Sequence, residues 1–278
     1  MARGLNTVFL VGSLTQKAEL RYTGAGLAIL EVELAGSDDV IGDDGQERSL
    51  AWYHRATVFG AFAESMVDVL DTPGTGVLVE GRLNHRTWET PEGQRRSSLN
   101  INANRLEVLD VSTRGTDPVI LDARDQPRLK GALNEVKIVG NLTRDAELRQ
   151  TPSGHSVTRF SVAVNENFRD RSGQEQERVH FVDVTAWREL AVTCAELSKG
   201  DPVFVIGRLV NETWTDREGN RRFSTRLEAQ RVEFLTRGPG GGGAGTRPQS
   251  TQAAGARTSR LDIDEDEQEF PPEEELPF

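Results

Sequence analysis

LNTVFLVGSLTQKAELRYTGAG, residues 5–26, aligns without gaps to LNEVKIVGNLTRDAELRQTPSG, residues 133–154, at an offset of 128. Farther along, VEGRLNHRTWETPEGQRR (79–96) aligns to VIGRLVNETWTDREGNRR (205–222) at an offset of 126. Solenoid repeats are about 20 to 50 residues long, so a period this large indicates a duplicated domain. We refer to the two units as the first copy and the second copy.

Each copy has the pattern of a small barrel. Short β-branched runs are separated by glycine-containing turns, and one brief helical stretch follows the third run. The apolar residues of that stretch recur at i, i+4 and i+7: Phe62, Met66 and Val69 in the first copy, Leu190, Cys194 and Leu197 in the second. Five strands with one short helix predict an all-β fold of two tandem OB-fold barrels. An SH3-like barrel is the structural alternative, although it does not usually need the helix.

The composition limits the class of protein. The 278 residues suffice for two domains, and no apolar run approaches the ~18 residues of a membrane span. The first residues lack the apolar stretch of a signal peptide, so we expect a cytoplasmic protein. A single cysteine, Cys194, excludes an intrachain disulfide framework and a thiolate metal cage.

The net charge of −11 is unexpected for a protein that binds nucleic acid, because phosphate contacts normally need a basic surface. The acid is concentrated at one end of the chain. Residues 261–278 contain nine Asp and Glu and no Lys or Arg, and the formal net charge of the rest of the chain is only −2. The two copies are therefore nearly neutral, and the acidic segment is a separate tail.

The boundaries between these parts follow from changes in composition. Residues 237–260 are rich in Gly, Ser and Thr and cannot bury enough apolar surface to offset their ordering entropy. We expect a connector with one short strand at 119–121. The predicted parts are domain 1 (1–110), connector (111–132), domain 2 (133–236), flexible linker (237–260) and a disordered acidic tail (261–278).

Strand parity gives the first indication of function, because alternate side chains of a strand point to opposite faces. In both copies, aromatics of the third strand share the parity of polar residues, while small apolar residues have the other parity. Tyr53 and Phe59 alternate with Ala56 and Val58, and Phe181 and Trp187 alternate with Val182, Val184 and Ala186. In the fourth strand, Trp88 has the parity of Arg82, Asn84 and Arg86, and Trp214 that of Arg208 and Glu212.

A single strand aromatic is more often part of the core, but the same inversion in two copies favours exposure. Aromatics beside arginines on a sheet face can stack with unpaired bases, because every base has a π-face. Each such stack is worth about 1 to 3 kcal/mol. The pattern therefore predicts a surface for single-stranded nucleic acid.

Arginines recur beside these aromatics and are candidates for phosphate contacts. The hairpins that follow Trp88 and Trp214 bring two arginines near each ring. An isolated charge run is usually only a solvated face, so the recurrence is what supports the assignment. The predicted phosphate contacts are Arg3, Arg55, Arg86, Arg95, Arg96, Arg149, Arg169, Arg178, Arg221 and Arg222.

Catalysis has little support in the sequence. The four histidines lack metal-binding spacing, Cys194 has no recurrent histidine partner, and no carboxylate pair recurs in the two copies. We expect a protein that is not an enzyme and needs no metal or cofactor. The OB fold alone does not choose the ligand, so RNA and oligosaccharide remain alternatives to DNA.

These motifs resemble the bacterial single-stranded DNA-binding proteins. In the second copy the likeness runs through the quoted repeat, FSVAVNENFRDRSGQ, KGDPVFVIGRL and TWTDREGNRR, and in the first through YHRATVFGAFAE and EGRLNHRTWETPEG. The resemblance implies a protein that protects single-stranded DNA in replication, recombination and repair. It places base stacking on Tyr53, Phe59, Trp88, Phe168, Phe181, Trp187 and Trp214.

The resemblance also implies a quaternary structure and an asymmetry. Two OB folds in one chain look like the form in Deinococcus and Thermus bacteria, which dimerises to give four OB folds. The first copy departs from the pattern because Val40 stands where the second copy has Phe168. We therefore expect the two copies to contribute unequally to binding.

The last residues resemble the protein-interaction tip of the same family. An acidic tail by itself is usually a solvating segment, but this one ends in an apolar tripeptide after three glutamates. A terminal aromatic ring and carboxylate can dock into a pocket with a basic rim, and the flanking acids steer the encounter. The predicted tip is Glu273, Glu274, Glu275, Leu276, Pro277 and Phe278, with replication and repair proteins as partners.

Overall fold

A computed structural model describes residues 4–41, 45–89, 93, 95–111, 118–169, 173–215 and 221–235. The first copy contains β1 (Leu5–Leu14), β2 (Glu19–Tyr22), β3 (Ala28–Ile41), β4 (Glu47–Phe59), α1 (Gly60–Met66), β5 (Gly76–Glu89) and β6 (Arg95–Leu109). The connector holds β7 (Val119–Leu121) and β8 (Pro127–Lys130). The second copy contains β9 (Leu133–Leu142), β10 (Glu147–Gln150), β11 (Ser156–Arg169), β12 (Glu175–Trp187), α2 (Arg188–Cys194), β13 (Pro202–Thr215) and β14 (Arg221–Phe234).

Five strands of each copy close into a barrel. In the first copy β1 pairs with β5, β5 with β6, β6 with β4 in parallel, β4 with β3, and β3 again with β1. The second copy closes in the same order through β9, β13, β14, β12 and β11. The short strands β2 and β10 pair with β3 and β11 as small additions to each ring. The predicted pair of OB-fold barrels is confirmed.

The helix after the third barrel strand is shorter than the sequence pattern indicates. Phe62 and Met66 pack against the core as expected, but Val69 lies beyond the end of α1 and is 49% exposed. Leu70 is fully buried instead, and its carbonyl accepts a hydrogen bond from the backbone amide of Ala18. The prediction for Val69 was wrong because the chain leaves the helix before the third turn and its side-chain period changes.

A β-bulge explains one glycine that the two copies share. The register between β5 and β6 shifts between Glu80 and Gly81, and a Cβ at Gly81 would lie 2.3 Å from the carbonyl oxygen of Asn102. Only glycine permits this approach of two backbones. On its other side β5 pairs with β1 only as far as Gly81, opposite Val8. Beyond that point the side chain of Asn6 continues the contact by donating to the carbonyl of Leu83 and accepting from its amide, both at 2.8 Å.

The two barrels join edge to edge through β1 and β9. These strands are antiparallel, with Val8 opposite Val136 and Leu5 opposite Val139. Val136 is the repeat equivalent of Val8, so a pseudo-twofold axis passes between them. The result is a continuous six-stranded sheet in the order β6, β5, β1, β9, β13 and β14.

Buried polar groups complete the contact between the copies. The Nε2 atom of His54 in the first copy lies 3.1 Å from the carbonyl of Leu209 in the second, and its ring stacks on Trp52 with centroids 5.4 Å apart. Burial lowers the pKa of His54 from 6.5 to about 4, so the ring is neutral at pH 7. Asn134 also donates to the Leu209 carbonyl, at 2.9 Å.

Two ion pairs cross the same contact in symmetric positions. Arg82 of the first copy pairs with Glu166 of the second. Arg208, the repeat equivalent of Arg82, pairs at 3.5 Å with Asp38, the equivalent of Glu166. The interface therefore contains the same pair of charges twice, once in each direction.

The connector forms a hairpin, whereas the sequence pattern predicts one short strand. β7 and β8 pair with each other, and β8 extends the sheet of the first copy by pairing in parallel with β3. Asp122 forms the turn by accepting hydrogen bonds from the backbone amides of Arg124 and Gln126. Proline is disfavoured inside a strand because it has no backbone N–H to donate. Pro127 is the first residue of β8, a position where proline is tolerated.

Candidate nucleic-acid interface

The alternation predicted for the third barrel strands is present in both copies. Along β12, Val182, Val184 and Ala186 are buried, whereas Phe181 is 40% exposed. Along β4, Phe59 is 41% exposed on the face opposite the buried Val58. We call this outward side of each barrel the stacking face.

The predicted stacking residues differ in exposure. Phe59, Trp88 and Phe181 are each about two-fifths exposed, and Tyr53, Phe168 and Trp187 are half-buried. Only the backbone of Trp214 is described, and the register places Arg222 directly opposite it. Arg96 is opposite Trp88 in the same way, so both hairpins bring an arginine position next to a tryptophan.

Tyr53 makes a contact that the sequence did not indicate. Its hydroxyl donates a hydrogen bond of 2.5 Å to the carboxylate of Asp122 in the connector. Burial, together with this carboxylate, raises the pKa of Tyr53. Its equivalent Phe181 has no hydroxyl and instead meets the ring of His85 edge-on, with centroids 5.8 Å apart. The connector thus covers part of the first stacking face.

Phe168 also differs from its counterpart in the first copy, because it contacts a cation. The guanidinium carbon of Arg178 lies over the Phe168 ring, 4.9 Å from the centroid, in a cation–π contact. Val40 and Leu50 stand at the equivalent positions of the first copy. The first copy therefore lacks both the ring and the cation at this corner.

The predicted phosphate contacts are in unequal environments. Arg55 donates to Glu33 at 2.9 Å and pairs with Glu31 at 3.2 Å, and its hydrogen bond to Glu33 raises the pKa of Arg55. Arg149 pairs with Glu147 at 2.8 Å, and Arg86 is exposed. Only the backbone is described for Arg95, Arg96, Arg169, Arg221 and Arg222. Arg3 and the tip residues Glu273 to Phe278 lie outside the described residues.

The sequence reasoning missed a polar cluster on the second stacking face. Glu212 lies between two arginines, with Arg226 Nε at 2.8 Å and Arg159 Nη2 at 3.8 Å. The three side chains are at most 16% exposed. Glu212 was recognised from parity as sharing the face of Trp214, but its partners are on β11 and β14. The β13–β14 hairpin already brings Arg226 near Glu212, but only the barrel closure brings Arg159 on β11 to the same place.

Other residues with reactive side chains lie away from this surface. Cys194 is fully buried, and burial raises the pKa of its thiol to about 11, so the thiol is protonated at pH 7. Within the described ranges, no group of three or more His, Cys, Asp and Glu is arranged to hold a metal ion. In that same part of the chain, no helix is long and apolar enough to cross a membrane.

Comparison with known proteins agrees with the fold and the repeat. The model of the single-strand binding protein family matches residues 5–109 and again 133–235. The chain belongs to the single-strand binding protein family. A single-stranded DNA-binding protein of Thermus thermophilus is 54% identical over 278 residues, and one of Deinococcus radiodurans is 48% identical over 306 residues. Both alignments cover all of this chain and all of the relative.

A solved member of the family has the same architecture. The crystal structure of the wild-type single-stranded DNA binding protein from Thermus aquaticus matches with a TM-score of 0.67 and 44% identity. The match covers 87% of this chain and 98% of that chain. The resemblance inferred from the repeat motifs is thereby confirmed, and it extends across both OB folds.

Proposed function

We propose that this chain binds single-stranded DNA largely independently of sequence, through base stacking on both stacking faces and arginine contacts to phosphates. The observation that carries the proposal is that Phe59 and Phe181, on matched strands, are exposed beside polar residues while their neighbours along the strand are buried. Such rings tolerate any base, because stacking needs no specific hydrogen bond. The names of the full-length relatives support the choice of DNA.

A fluorescence titration tests this proposal. Binding of poly-dT should quench tryptophan emission and should weaken as salt rises, because phosphate contacts release counterions. Trp88→Ala and Trp214→Ala should each reduce affinity by roughly fivefold or more, the low end for one stacked base. Unchanged affinity in both variants would refute the stacking faces. Tighter binding of poly-rU than of poly-dT would make RNA, the alternative ligand, the better assignment.

The proposed role is non-catalytic. In the cytoplasm, associated with the nucleoid, the protein would cover single-stranded DNA during replication, recombination and repair. Incubation with single-stranded DNA and Mg²⁺ should give a mobility shift with intact DNA. Cleaved DNA would contradict a binding role.

We also propose that the chain forms a homodimer with four OB folds. The outer face of the six-stranded sheet, away from the barrel cores, is rich in half-buried apolar residues: Phe9, Val11, Leu78, Val139, Phe204 and Ile206. A large apolar face of this kind typically marks an interface between chains. Light scattering should give the mass of two chains. Phe204→Arg should reduce it to one, whereas Tyr22→Arg, at a 58% exposed site on β2, should not.

The tip Glu273 to Phe278 is proposed to recruit replication and repair proteins. Its free carboxylate and Phe278 ring suit a pocket with a basic rim, and its acids attract that rim over a distance. Deleting the tip should abolish capture of such partners. DNA binding should be kept or slightly tightened, since the removed negative charge no longer competes for basic grooves.

A further inference from the structure

The second stacking face holds a cluster of polar side chains, called the polar pocket below, that base stacking and phosphate contact do not explain. Its members are Arg159 on β11, Thr185 on β12, Glu212 on β13, and Ser224 and Arg226 on β14. Thr185 is only 2% exposed, and neither its hydroxyl nor that of Ser224 has a hydrogen-bond partner among the described residues. Buried hydroxyls are normally bonded, so two in one cluster indicate a ligand that supplies the partners.

The strand register places this pocket between two predicted stacking positions. Thr185 is directly opposite Arg159 and two residues from Trp187 on the same face of β12. Glu212 is opposite Ser224 and two residues from position 214 along β13. Two residues of a strand span about 7 Å, so a base stacked at Trp187 would direct its edge toward Thr185 and Arg159.

The charges of the pocket favour a base edge over a phosphate. Two guanidiniums share one carboxylate, and the pocket offers strong donors together with a strong acceptor. A phosphate accepts hydrogen bonds but would be repelled by Glu212. Burial and the neighbouring Arg226 lower the pKa of Arg159 to about 10, which still leaves it charged at pH 7.

The first copy lacks the pocket. Its equivalents of Arg226 and Ser224 are Asn100 and Ser98, and the Asn100 amide donates to the Ser98 hydroxyl at 3.0 Å. Glu31 stands in place of Arg159, and it pairs with Arg55. Any base preference should therefore come from the second copy alone.

We propose that this pocket reads the edge of guanine and gives the second copy a modest base preference. Guanine presents two adjacent acceptors, O6 and N7, that match the fork of an arginine, and its amino and imino groups can donate to Glu212. The inference rests on the proposed binding of single-stranded DNA and adds to it. The preference modulates a largely sequence-tolerant interaction.

Competition among four oligonucleotides of equal length tests the inference with the full-length protein. One is dT throughout, two are repeats of dT-dT-dG and dT-dT-dA, and in the fourth 7-deazaguanine replaces guanine. The guanine repeat should bind roughly fivefold more tightly than the adenine repeat, which controls for purine stacking. The 7-deaza repeat should lose most of this advantage, because it lacks N7.

Thr185→Val is the decisive variant because it keeps the side-chain shape and removes only the hydroxyl. It should reduce the guanine preference by about threefold, as expected for one hydrogen bond, and leave dT binding unchanged. Thr57→Val makes the same change at the matched site of the first copy and should have no effect. Arg226→Met should abolish the preference. Thermal unfolding checks its fold.

Equal affinity for the guanine and adenine repeats, with dT binding intact, would overturn the pocket and leave the proposed function standing. Loss of preference in Thr57→Val as large as in Thr185→Val would also overturn it. Absence of dT binding by the unaltered protein would instead refute the proposed function itself. The 7-deaza comparison uses the unaltered protein, so it decides the question even if a variant does not fold.

Discussion

Acid should weaken the contact between the two barrels through His54. The ring is buried at the interface, stacks on Trp52, and lies with Nε2 3.1 Å from the Leu209 carbonyl. That carbonyl also accepts from the Asn134 amide at 2.9 Å, and the neutral ring with a proton on Nε2 supplies a second donor. A second proton on the ring would place an uncompensated charge in the interface, which is why burial lowers the pKa of His54 to about 4.

The sign and size of the effect follow from the two pKa values. The unfolded chain has the ordinary histidine pKa of 6.5, so between that value and about pH 4 it binds a proton that the folded protein does not. Stability is therefore complete above pH 6.5 and falls as the pH decreases. At about 1.4 kcal/mol for each unit of difference, His54 should cost about 2 kcal/mol at pH 5 and about 3 kcal/mol at pH 4.

Urea unfolding at pH 8 and pH 5 measures this contribution. Other groups also titrate, so the relevant quantity is the difference between the unaltered protein and His54→Gln, whose amide can still donate to Leu209. The variant should lose about 2 kcal/mol less than the unaltered protein between the two pH values. His155→Gln, in the turn before β11, should behave like the unaltered protein. An equal loss in His54→Gln and the unaltered protein would refute the reasoning.

Three further predictions concern the asymmetry of the copies, the connector and the interface. Phe168→Ala should reduce affinity for poly-dT by at least roughly fivefold, the low end for one stack, and Val40→Ala should change it by less than twofold; equal losses would contradict the asymmetry. Tyr53→Phe should speed amide hydrogen exchange in the connector hairpin with no loss of DNA affinity, and slower or unchanged exchange would count against the contact. Asn134→Ala should lower the free energy of unfolding by about 2 to 3 kcal/mol, and by more than Asn6→Ala, because it leaves the buried backbone amide of Leu209 without its acceptor, whereas the bond of Asn6 is only partly buried; thermal unfolding would show the order.

Much of the fold was accessible from the sequence because the repeat supplies each signal twice. Parity predicted which side chains of β4 and β12 face outward, since strands alternate regardless of what covers them. The end of the helix was harder to predict. Val69 continues the helical period in the sequence, but the helix ends at Met66 and Leu70 is buried instead. Local periodicity shows that a helix is present, but it determines the end of the helix less accurately.

Features that depend on distant partners could not be predicted. The sequence predicts that Arg55 contacts phosphate, but the pairing of β3 with β4 places Glu31 and Glu33 beside it. The pairing of Tyr53 with Asp122 needs the connector to fold back on the first barrel, and no local pattern indicates that.

The pseudo-twofold axis gives a physical reason for the division between what is shared and what differs. Residues near the axis contact their own equivalents, so Val8 and Val136 must suit each other and the pair Arg82 with Glu166 has its counterpart in Arg208 with Asp38. Phe181 touches His85 of the other copy, but Phe168 and its partner Arg178 pair within the second copy and are free of that constraint. In a dimer of identical one-domain chains, any substitution on a stacking face would appear on both faces. One chain with two barrels can keep a symmetric interface and still place a ring and a cation on the second face alone.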